Sequence, residues 1–286
     1  MELIRIPRIM QDTAKEHMLR GKPIGFVPTM GALHEGHLSL VRRSKKENRT
    51  TVVSIFVNPI QFGPAEDFQN YPRDTEGDSE KLRKEEVDIL FMPDVSLMYP
   101  RGFSTHVEVE GFSDKLCGVF RPSHFRGVAT VVTKLFNIVK PARAYFGQKD
   151  FQQTVVIRQM VKDLDMGIDV VLCPTIREQD GLAMSSRNAG LNEAQRAAAP
   201  VVFRCLSEAS GLIKSGIIDA SHIQRIMQKS ILAEPAVSGV DYMGIYDPVT
   251  LNELSEVRDE VLLAAAVKIG RTRLIDNILV NMKKER

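Results

Sequence analysis

The segment His34–His37 reads HEGH, with two imidazoles three residues apart and a glycine between them. It follows a strand-like apolar run, Ile24–Val27, and precedes apolar residues spaced like the first turns of a helix. Imidazole can ligate a metal, transfer a proton or donate a hydrogen bond to an anion. The pair is therefore a candidate functional site at a strand-to-helix junction.

Three interpretations of the pair are open. Zinc hydrolases usually place two helical histidines four residues apart, and no cysteine or third ligand is evident near this segment. Both rings can instead be ordinary core residues. The third interpretation is a phosphate site, because a helix N-terminus offers N–H groups and partial positive charge. His34 and His37 would then donate to phosphate oxygens as charge develops, and other phosphate-binding segments should exist.

Two further polar segments have suitable chemistry. Gly147–Asp150, of sequence GQKD, follows a strand-like run; Lys149 is a cation that can reach phosphate, and Asp150 can cap a helix or contact a ribose or metal. Met184–Arg187, of sequence MSSR, lies in the polar, glycine-bearing loop 178–188. Hydroxyls, backbone N–H groups and one guanidinium suit a polyphosphate. We expect this loop to be mobile and to mark a domain boundary.

The elements that must position these segments alternate between strand and helix over the first part of the chain. The strand-like runs are short and apolar, as in a parallel sheet covered on both faces. This alternation predicts a doubly wound, Rossmann-like α/β sheet whose ligands bind beyond the carboxyl ends of the strands. The predicted strands are Ile24–Val27, Thr51–Val57, Val87–Met92, Ala144–Phe146 and Ile168–Leu172, and the predicted helices span 37–47, 75–85, 123–139 and 151–164. Thr75-x-x-Asp78 resembles a capping box at the start of the second helix.

Beyond the polar loop the pattern predicts a smaller α+β domain. The predicted helices are Glu193–Lys214 and Ala220–Ala233, and the predicted strands are Tyr242–Tyr246, Val261–Ile269 and Thr272–Asn277. We therefore expect a Rossmann-like domain at residues 1–178 and a C-terminal lid domain at 179–286 that includes the MSSR loop.

The composition narrows the class of protein. The chain has 286 residues, 43% hydrophobic and 26% charged, with a formal net charge of +2. Such a balance argues against a nucleic-acid partner. The longest apolar run, Val261–Val267, is too short to span a membrane, and the N-terminus has no signal-like segment, so we expect a cytoplasmic protein. Three widely spaced cysteines argue against a zinc site or a disulfide framework.

The order of the motifs resembles that of the HxGH nucleotidyltransferase superfamily. This group includes the class I aminoacyl-tRNA synthetases, whose mobile loop reads KMSKS. Here Ala183 stands at the first lysine, Ser186 at the second and Arg187 at the last serine. The positive charge would have to come from Arg187 and Lys149.

Longer stretches are similar to the pantothenate synthetases, also called pantoate–β-alanine ligases. These stretches are PTMGALHEGHLSLV, SIFVNPIQFGPAEDFQNYPRD, RPSHFRGVATVVTKLFNIVKPARAYFGQKDFQQ and REQDGLAMSSRN. The resemblance covers residues 20 to 192. Ser123 stands where the family often has Gly, and Ala65 where Asn is frequent.

The resemblance implies an activity. The family condenses (R)-pantoate and β-alanine to pantothenate, on the coenzyme A pathway, through a pantoyl-adenylate intermediate, and releases AMP and pyrophosphate. It uses ATP with Mg²⁺. Adenylation gives the carboxylate a good leaving group, and the intermediate must be shielded from water. The resemblance also implies a homodimer.

The resemblance implies roles for individual residues as well. Catalysis falls to His34, His37, Lys149 and Arg187. Gln61 and Gln153 bind pantoate, and Gln61 also borders β-alanine, with Asn58 nearby. The ATP site comprises Met30, Gly31, Ala32, Leu33, His34, Glu35, Gly36, His37, Gly147, Gln148, Lys149, Asp150, Ile176, Met184, Ser185, Ser186 and Arg187. Phe56, Val131 and Val132 can form an apolar wall or plain core, Tyr71 is a candidate gate, and Arg121 is a candidate anion contact or surface ion pair. The Mg²⁺ ligand stays open among Asp78, Asp88 and Asp150.

Two rival functions stay open. Another HxGH nucleotidyltransferase, acting on a phosphorylated alcohol, would share the histidines but would not require Gln61 and Gln153. A non-catalytic nucleotide- or tRNA-binding module is the other, and the near-neutral charge opposes it. A screen for pantoate-dependent pyrophosphate release distinguishes the first rival from the ligase.

Overall fold

A computed structural model of the chain describes residues 1–63, 68–69 and 71–282, so Ala65 lies outside the described residues. The chain divides into two compact units. The first comprises residues 1–113, 121–148 and 153–174, and the second comprises 114–120, 149–152 and 175–286. Three short segments within the predicted first domain of residues 1–178, namely 114–120, 149–152 and 175–178, fall in the second unit.

The first unit contains a six-stranded parallel sheet with the strand order β1-β4-β3-β2-β5-β6. The strands are β1 (Glu2–Ile4), β2 (Ile24–Thr29), β3 (Thr50–Ile55), β4 (Ile89–Phe91), β5 (Arg143–Gly147) and β6 (Asp169–Cys173). All six residues of β3 are buried, which agrees with a sequence in which every residue except Ser54 is β-branched. The predicted doubly wound α/β class is confirmed.

The order of the strands reverses at β2 and β5. These strands are neighbours, but β2 leads along the chain to β3 on one side, and β5 leads to β6 on the other. A doubly wound sheet opens a crevice at such a point, beyond the carboxyl ends of the strands. The loop that carries HEGH leaves β2 there, and Gly147 ends β5.

Helices join the strands of this unit. They are α1 (Pro7–Leu19), α2 (Glu35–Glu47), α3 (Thr75–Lys84), α4 (Val95–Met98), α6 (His124–Val139) and α7 (Phe151–Asp163), and α5 (Cys117–Phe120) belongs to the second unit. The α2 helix packs on β2, β3 and β5, while α1 and α6 pack on each other and on β2. The sequence analysis missed β1 and α1, because a three-residue strand carries no periodic signal and α1 leaves several apolar side chains exposed.

The predicted capping box at the start of α3 is wrong. The N-cap residue is Asp74, whose carboxylate accepts a hydrogen bond from the N–H of Gly77 at 3.0 Å. Asp78 is only 1% exposed and bonds to a different part of the chain. Asp74 occupies the N-cap position because aspartate is among the residues most favoured there.

The second unit contains a three-stranded antiparallel sheet with the order β7-β8-β9. Its strands are β7 (Val237–Tyr246), β8 (Glu260–Ile269) and β9 (Thr272–Asn281), and its larger helices are α8 (Glu193–Ala198), α9 (Val201–Lys214) and α10 (Ala220–Leu232). The α9 helix packs on β8 and β9, and α10 packs on β7 and α9. The predicted single helix Glu193–Lys214 is wrong, because Pro200 interrupts it between α8 and α9 and cannot donate a backbone hydrogen bond.

Within the described ranges, none of the helices has the length and apolar character needed to cross a membrane.

Candidate active site

The two histidines cap the N-terminus of α2 together. His34 is the N-cap residue, and its Nδ1 accepts a hydrogen bond from the N–H of Gly36 at 3.2 Å. The Nδ1 of His37 in turn accepts from the N–H of His34 at 3.3 Å. The ring centroids are 4.1 Å apart. Because both Nδ1 atoms accept, each neutral ring must carry its proton on Nε2.

This geometry narrows the three interpretations of the pair. Both histidines are partly exposed, so neither is a plain core residue. Among the residues that the structure describes, no group of three His, Cys, Asp or Glu side chains could hold a metal ion. The cap places the Nε2–H groups of both rings at a helix N-terminus, where N–H donors and partial positive charge suit an anion.

The turn between β2 and α2 is fixed from α3. The carboxylate of Asp78 accepts hydrogen bonds from the N–H groups of Ala32 and Leu33, both at 2.7 Å. Lys81 lies 3.5 Å from the same carboxylate and donates to the carbonyl oxygen of Leu33 at 2.8 Å. Gly31 and Ala32 have φ values of +83° and +50°. A non-glycine residue is strained in that region, so these hydrogen bonds hold a turn that would otherwise relax.

Gln61 lies in the 3-10 turn Pro59–Gln61 that follows β3. Its side-chain amide is buried; the Nε2 atom lies 3.0 Å from the sulfur of Met30, and Oε1 accepts from Asn58 at 3.0 Å. Met30 belongs to the turn that leads to His34. The structure therefore places Gln61 beside the turn that leads to the HEGH segment. Asn58 is 1% exposed, and its amide is bonded to protein groups, so it supports Gln61.

The other predicted pantoate residues differ in exposure. Gln153 is partly exposed on α7, and within the described part of the chain its amide makes no hydrogen bond. Phe56, Val131 and Val132 are 4–5% exposed and belong to the core. Tyr71 packs edge-on against Phe62 at 5.8 Å, and Arg121 lies 3.2 Å from the Nε2 of His124.

Lys149 and Asp150, of the second unit, are the last two residues of the 3-10 turn Gln148–Asp150 that precedes α7. The Lys149 side chain is 15% exposed, and its Nζ lies 3.7 Å from the carboxylate of Asp150. The carbonyl oxygen of Lys149 accepts from Asn277 of β9 at 3.0 Å. Lys149 is thus held at both its backbone and its ammonium group.

The MSSR segment is part of a folded loop. The N–H of Met184 donates to the carbonyl oxygen of Ile176 at 3.0 Å, which pairs two residues predicted to bind ATP. Ser185 caps the 3-10 helix Ser186–Gly190, and its Oγ accepts from the N–H of Arg187 at 3.3 Å. The guanidinium of Arg187 is exposed. The segment thus offers hydroxyls, N–H groups and one cation at a helix start.

Sequence analysis missed the residue that holds this loop. Arg177 makes two hydrogen bonds to Asp276, at 2.6 and 2.9 Å, and donates to the carbonyl oxygen of Gly181 at 3.1 Å. Its guanidinium also lies 3.9 Å from the ring centroid of Phe203. Asp276 is 99 residues away along the chain, so no local pattern could reveal the pair.

The three carboxylates considered for Mg²⁺ differ in what they already bind. Asp78 holds the turn before α2. Asp88 precedes β4 and accepts a hydrogen bond from the N–H of Thr51. It therefore lies at the amino-terminal ends of the parallel strands, whereas the HEGH loop follows the carboxyl end of β2. Asp150 is 47% exposed beside Lys149. An exposed carboxylate such as that of Asp150 matches the usual mode of Mg²⁺ binding, in which one carboxylate supplements phosphate oxygens and water.

Comparison with known proteins decides the family. A family model described as pantoate-beta-alanine ligase matches residues 2–279. This chain belongs to the pantoate–β-alanine ligase family. The pantothenate synthetase of Thermodesulfovibrio yellowstonii is 58% identical over 98% of this chain and 100% of its own length.

Solved structures agree with this assignment. The pantothenate synthetase of Thermus thermophilus superposes with a TM-score of 0.93 at 44% identity, covering 97% of this chain and 99% of that one. The ligase of Francisella tularensis, solved with a β,γ-ATP compound and β-alanine, has a TM-score of 0.79 at 34% identity and covers 98% and 97% of the two chains. The predicted enzyme class, a pantoate–β-alanine ligase, is confirmed, and neither rival function is favoured.

Proposed function

We propose that His34 and His37 donate their Nε2–H groups to ATP phosphates while this ligase activates pantoate. The reciprocal cap of α2 carries the proposal, because it turns Nδ1 of both rings to the backbone and leaves the proton on Nε2. ATP and β-alanine are the expected ligands here, since the Francisella tularensis relative was solved with β-alanine and a β,γ-ATP compound.

The reaction has two balanced steps. A carboxylate oxygen of pantoate attacks the α-phosphorus of ATP, and the bond to pyrophosphate breaks. The amine of β-alanine then attacks the acyl carbon, AMP leaves with the bonding electron pair, and the amine loses a proton. Negative charge builds on phosphorus in the first step and on the acyl oxygen in the second. Donors to phosphate therefore act mainly on the first step.

Pantoate binding falls to the glutamines in this proposal. Gln61 presents Nε2 toward the Met30 turn, and Gln153 has an amide that no described residue engages. Amides can bind both hydroxyl and carboxylate groups. Phe56, Val131 and Val132 contribute from the buried side, where they limit the room for the gem-dimethyl carbon.

Residues 1–178 bind nucleotide and pantoate in this proposal, and residues 179–286 act as a lid. Lys149, Ser185, Ser186 and Arg187 contribute donors and positive charge for ATP phosphates. Asp150 would be the protein ligand of a Mg²⁺ ion, and such an ion would neutralise part of the phosphate charge. The enzyme works as a homodimer in the cytoplasm, and sedimentation equilibrium tests the dimer.

Separate measurement of the two half-reactions tests the histidine roles. His34→Asn keeps a side-chain acceptor for the cap but has no Nε2–H donor, so it separates capping from donation. His34→Asn and His37→Ala should each slow pantoate-dependent ATP–pyrophosphate exchange by about 10²–10³. With synthetic pantoyl adenylate, both should react with β-alanine at a rate close to wild type. His17→Ala is the control, since His17 bonds to Thr50 instead.

Other outcomes would contradict the proposal. Equal losses in both half-reactions with an unchanged melting temperature would exclude a phosphate role. The metal interpretation predicts a different result. Activity would then rise and fall with zinc content, and enzyme treated with a chelator would stay inactive after Mg²⁺ is added back. A lower melting temperature together with equal losses in both half-reactions would indicate that the histidines serve in packing.

A further inference from the structure

A chain of buried hydrogen bonds runs from a backbone carbonyl to the predicted pantoate site. The Nδ2 of Asn58 donates to the carbonyl oxygen of Gly127 at 3.0 Å and to the Oε1 of Gln61 at 3.0 Å. The hydroxyl of Tyr99 donates to the Oδ1 of Asn58 at 2.7 Å. The Nε2 of Gln61 lies 3.0 Å from the sulfur of Met30.

The carbonyl of Gly127 sets the direction of every bond in this chain. A carbonyl oxygen can only accept, so Asn58 must turn its NH₂ group toward it. That NH₂ group also faces Gln61, which must therefore turn its oxygen toward Asn58. The NH₂ group of Gln61 is then directed to the Met30 turn, and the Oδ1 of Asn58 needs a donor, which only the Tyr99 hydroxyl supplies among its described partners.

The backbone around the chain is tightly fixed. A Cβ at Gly127 would lie 2.4 Å from the carbonyl oxygen of Ile60, so a side chain there would push the 3-10 turn away from α6. The glycine thus lets Asn58 reach the helix backbone. His124, one turn earlier on α6, lies 2.9 Å through its Nδ1 from the carbonyl oxygen of Gln61. Both the backbone and the side chain of Gln61 are therefore tied to α6.

Tyr99 is held independently of its hydroxyl. Its ring packs against Phe56 at 6.1 Å and against Phe103 at 4.9 Å, and the ammonium of Lys134 lies 5.8 Å from its centroid. Burial raises the pKa of the Tyr99 hydroxyl well above its ordinary value, so the group stays protonated and remains a donor at neutral pH.

We propose that Tyr99 is a positioning residue that, through Asn58, fixes which end of the Gln61 amide faces pantoate. Gln61 then offers N–H donors, which match an oxygen acceptor on the substrate. Loss of the hydroxyl would leave the Oδ1 of Asn58 buried without a donor, and rotation of Asn58 would set oxygen against oxygen at Gly127. Gln61 would lose its single orientation. This inference rests on the proposed role of Gln61 in binding pantoate.

The test uses Tyr99→Phe, which keeps the ring contacts and removes only the hydroxyl. We expect the KM for pantoate to rise roughly tenfold, as for the loss of one hydrogen bond to a buried polar group, and the KM for ATP to change less than twofold. Tyr145→Phe is the matched control. Its hydroxyl is also buried in the first unit and bonds to Asn48 at 2.6 Å and Glu47 at 2.9 Å, away from Gln61.

A double-mutant cycle separates positioning from general destabilisation. In a Gln61→Ala background, Tyr99→Phe should have no further effect on pantoate, because the group through which it acts is gone. Additive losses in the cycle, or losses in Tyr99→Phe that match those in Tyr145→Phe for every substrate, would overturn the inference. If Gln61→Ala itself leaves the KM for pantoate unchanged, the proposed role of Gln61 fails. If Gln61→Ala raises the KM for pantoate and Tyr99→Phe leaves it unchanged, the positioning role of Tyr99 fails while the role of Gln61 stands.

Discussion

The carboxylate of Asp78 accepts the N–H of Leu33 at 2.7 Å across 45 residues of sequence. Its other oxygen accepts the N–H of Ala32 at the same distance. A carboxylate on α3 therefore determines the path of the turn that ends at the N-cap of α2. The turn contains a non-glycine residue with positive φ, so it needs this external support.

Asp78→Asn should destabilise the enzyme by about 1–3 kcal/mol, because its new NH₂ group must face a backbone N–H donor. The KM for ATP should rise as the HEGH loop loses its support. Asp74→Asn on the same helix is the control, since asparagine caps a helix as well as aspartate does. Urea unfolding measures both variants. Equal stability in the two would show that Asp78 does not hold the turn.

The reciprocal cap of α2 predicts the tautomers of His34 and His37. In the enzyme without ligands at neutral pH, ¹⁵N NMR of the imidazoles should show unprotonated Nδ1 and protonated Nε2 in His34 and His37. The variant His37→Ala assigns the signals. A protonated Nδ1 on either neutral ring would contradict the cap and the donor role that follows from it.

Arg177→Lys should loosen the loop that carries MSSR. Lysine keeps the charge but cannot make the paired hydrogen bonds to Asp276 or bond Gly181 in the same geometry. Limited proteolysis within 178–188 should be several-fold faster than in wild type. Arg225→Lys, on the exposed side of α10, is the control and should leave the rate unchanged.

The same assay tests closure of the loop over the substrates. ATP with pantoate should protect residues 181–188 of wild type from cleavage, because a lid that closes over phosphates is less accessible to a protease. Equal cleavage rates with and without the ligands would argue against a lid.

Gln153→Ala should raise the KM for pantoate far more than that for ATP. Each hydrogen bond lost from a buried polar ligand costs about 1–3 kcal/mol, which corresponds to roughly a 5- to 150-fold change. Gln159→Ala lies on the same helix, where its amide bonds to Asp163, and should leave both constants unchanged. Equal losses for the two substrates in Gln153→Ala would remove Gln153 from the pantoate site.

Burial raises the pKa of the Cys205 thiol to about 12 from an ordinary value of 9. The unfolded chain therefore loses this proton at lower pH than the folded one, so the thiol favours folding below pH 9, and this contribution declines between pH 9 and 12. One proton contributes at most about 1.4 kcal/mol per pH unit. Urea midpoints at pH 8 and pH 10 should differ more in wild type than in Cys205→Ala. An equal change in the urea midpoint between pH 8 and pH 10 in the two proteins would show that the Cys205 thiol does not contribute to the pH dependence of stability.

Several features followed from the sequence because their physical causes are local. Short apolar runs and helix periodicity predicted the central strands and the helices between them, and the motifs predicted the loops at β2 and β5. The failures were also local. Asp74, and not Thr75, is the N-cap residue of α3. Pro200 separates α8 from α9 within a segment whose apolar periodicity predicted one helix.

What only the tertiary structure decided depends on contacts between distant residues. Asp78, a candidate metal ligand, is buried and bonds to a group 45 residues away, and Asn58, a candidate substrate contact, is buried and bonds to a group 69 residues away. The pairing of Arg177 with Asp276 and of Tyr99 with Asn58 is likewise non-local. A buried polar group needs a hydrogen-bond partner, and that partner can come from any part of the chain that folding brings close. Hydrophobic periodicity predicts local elements and does not predict such distant partners. The sequence thus determined the family and its loops, and the packing of the chain determined which polar side chains are buried in support of others.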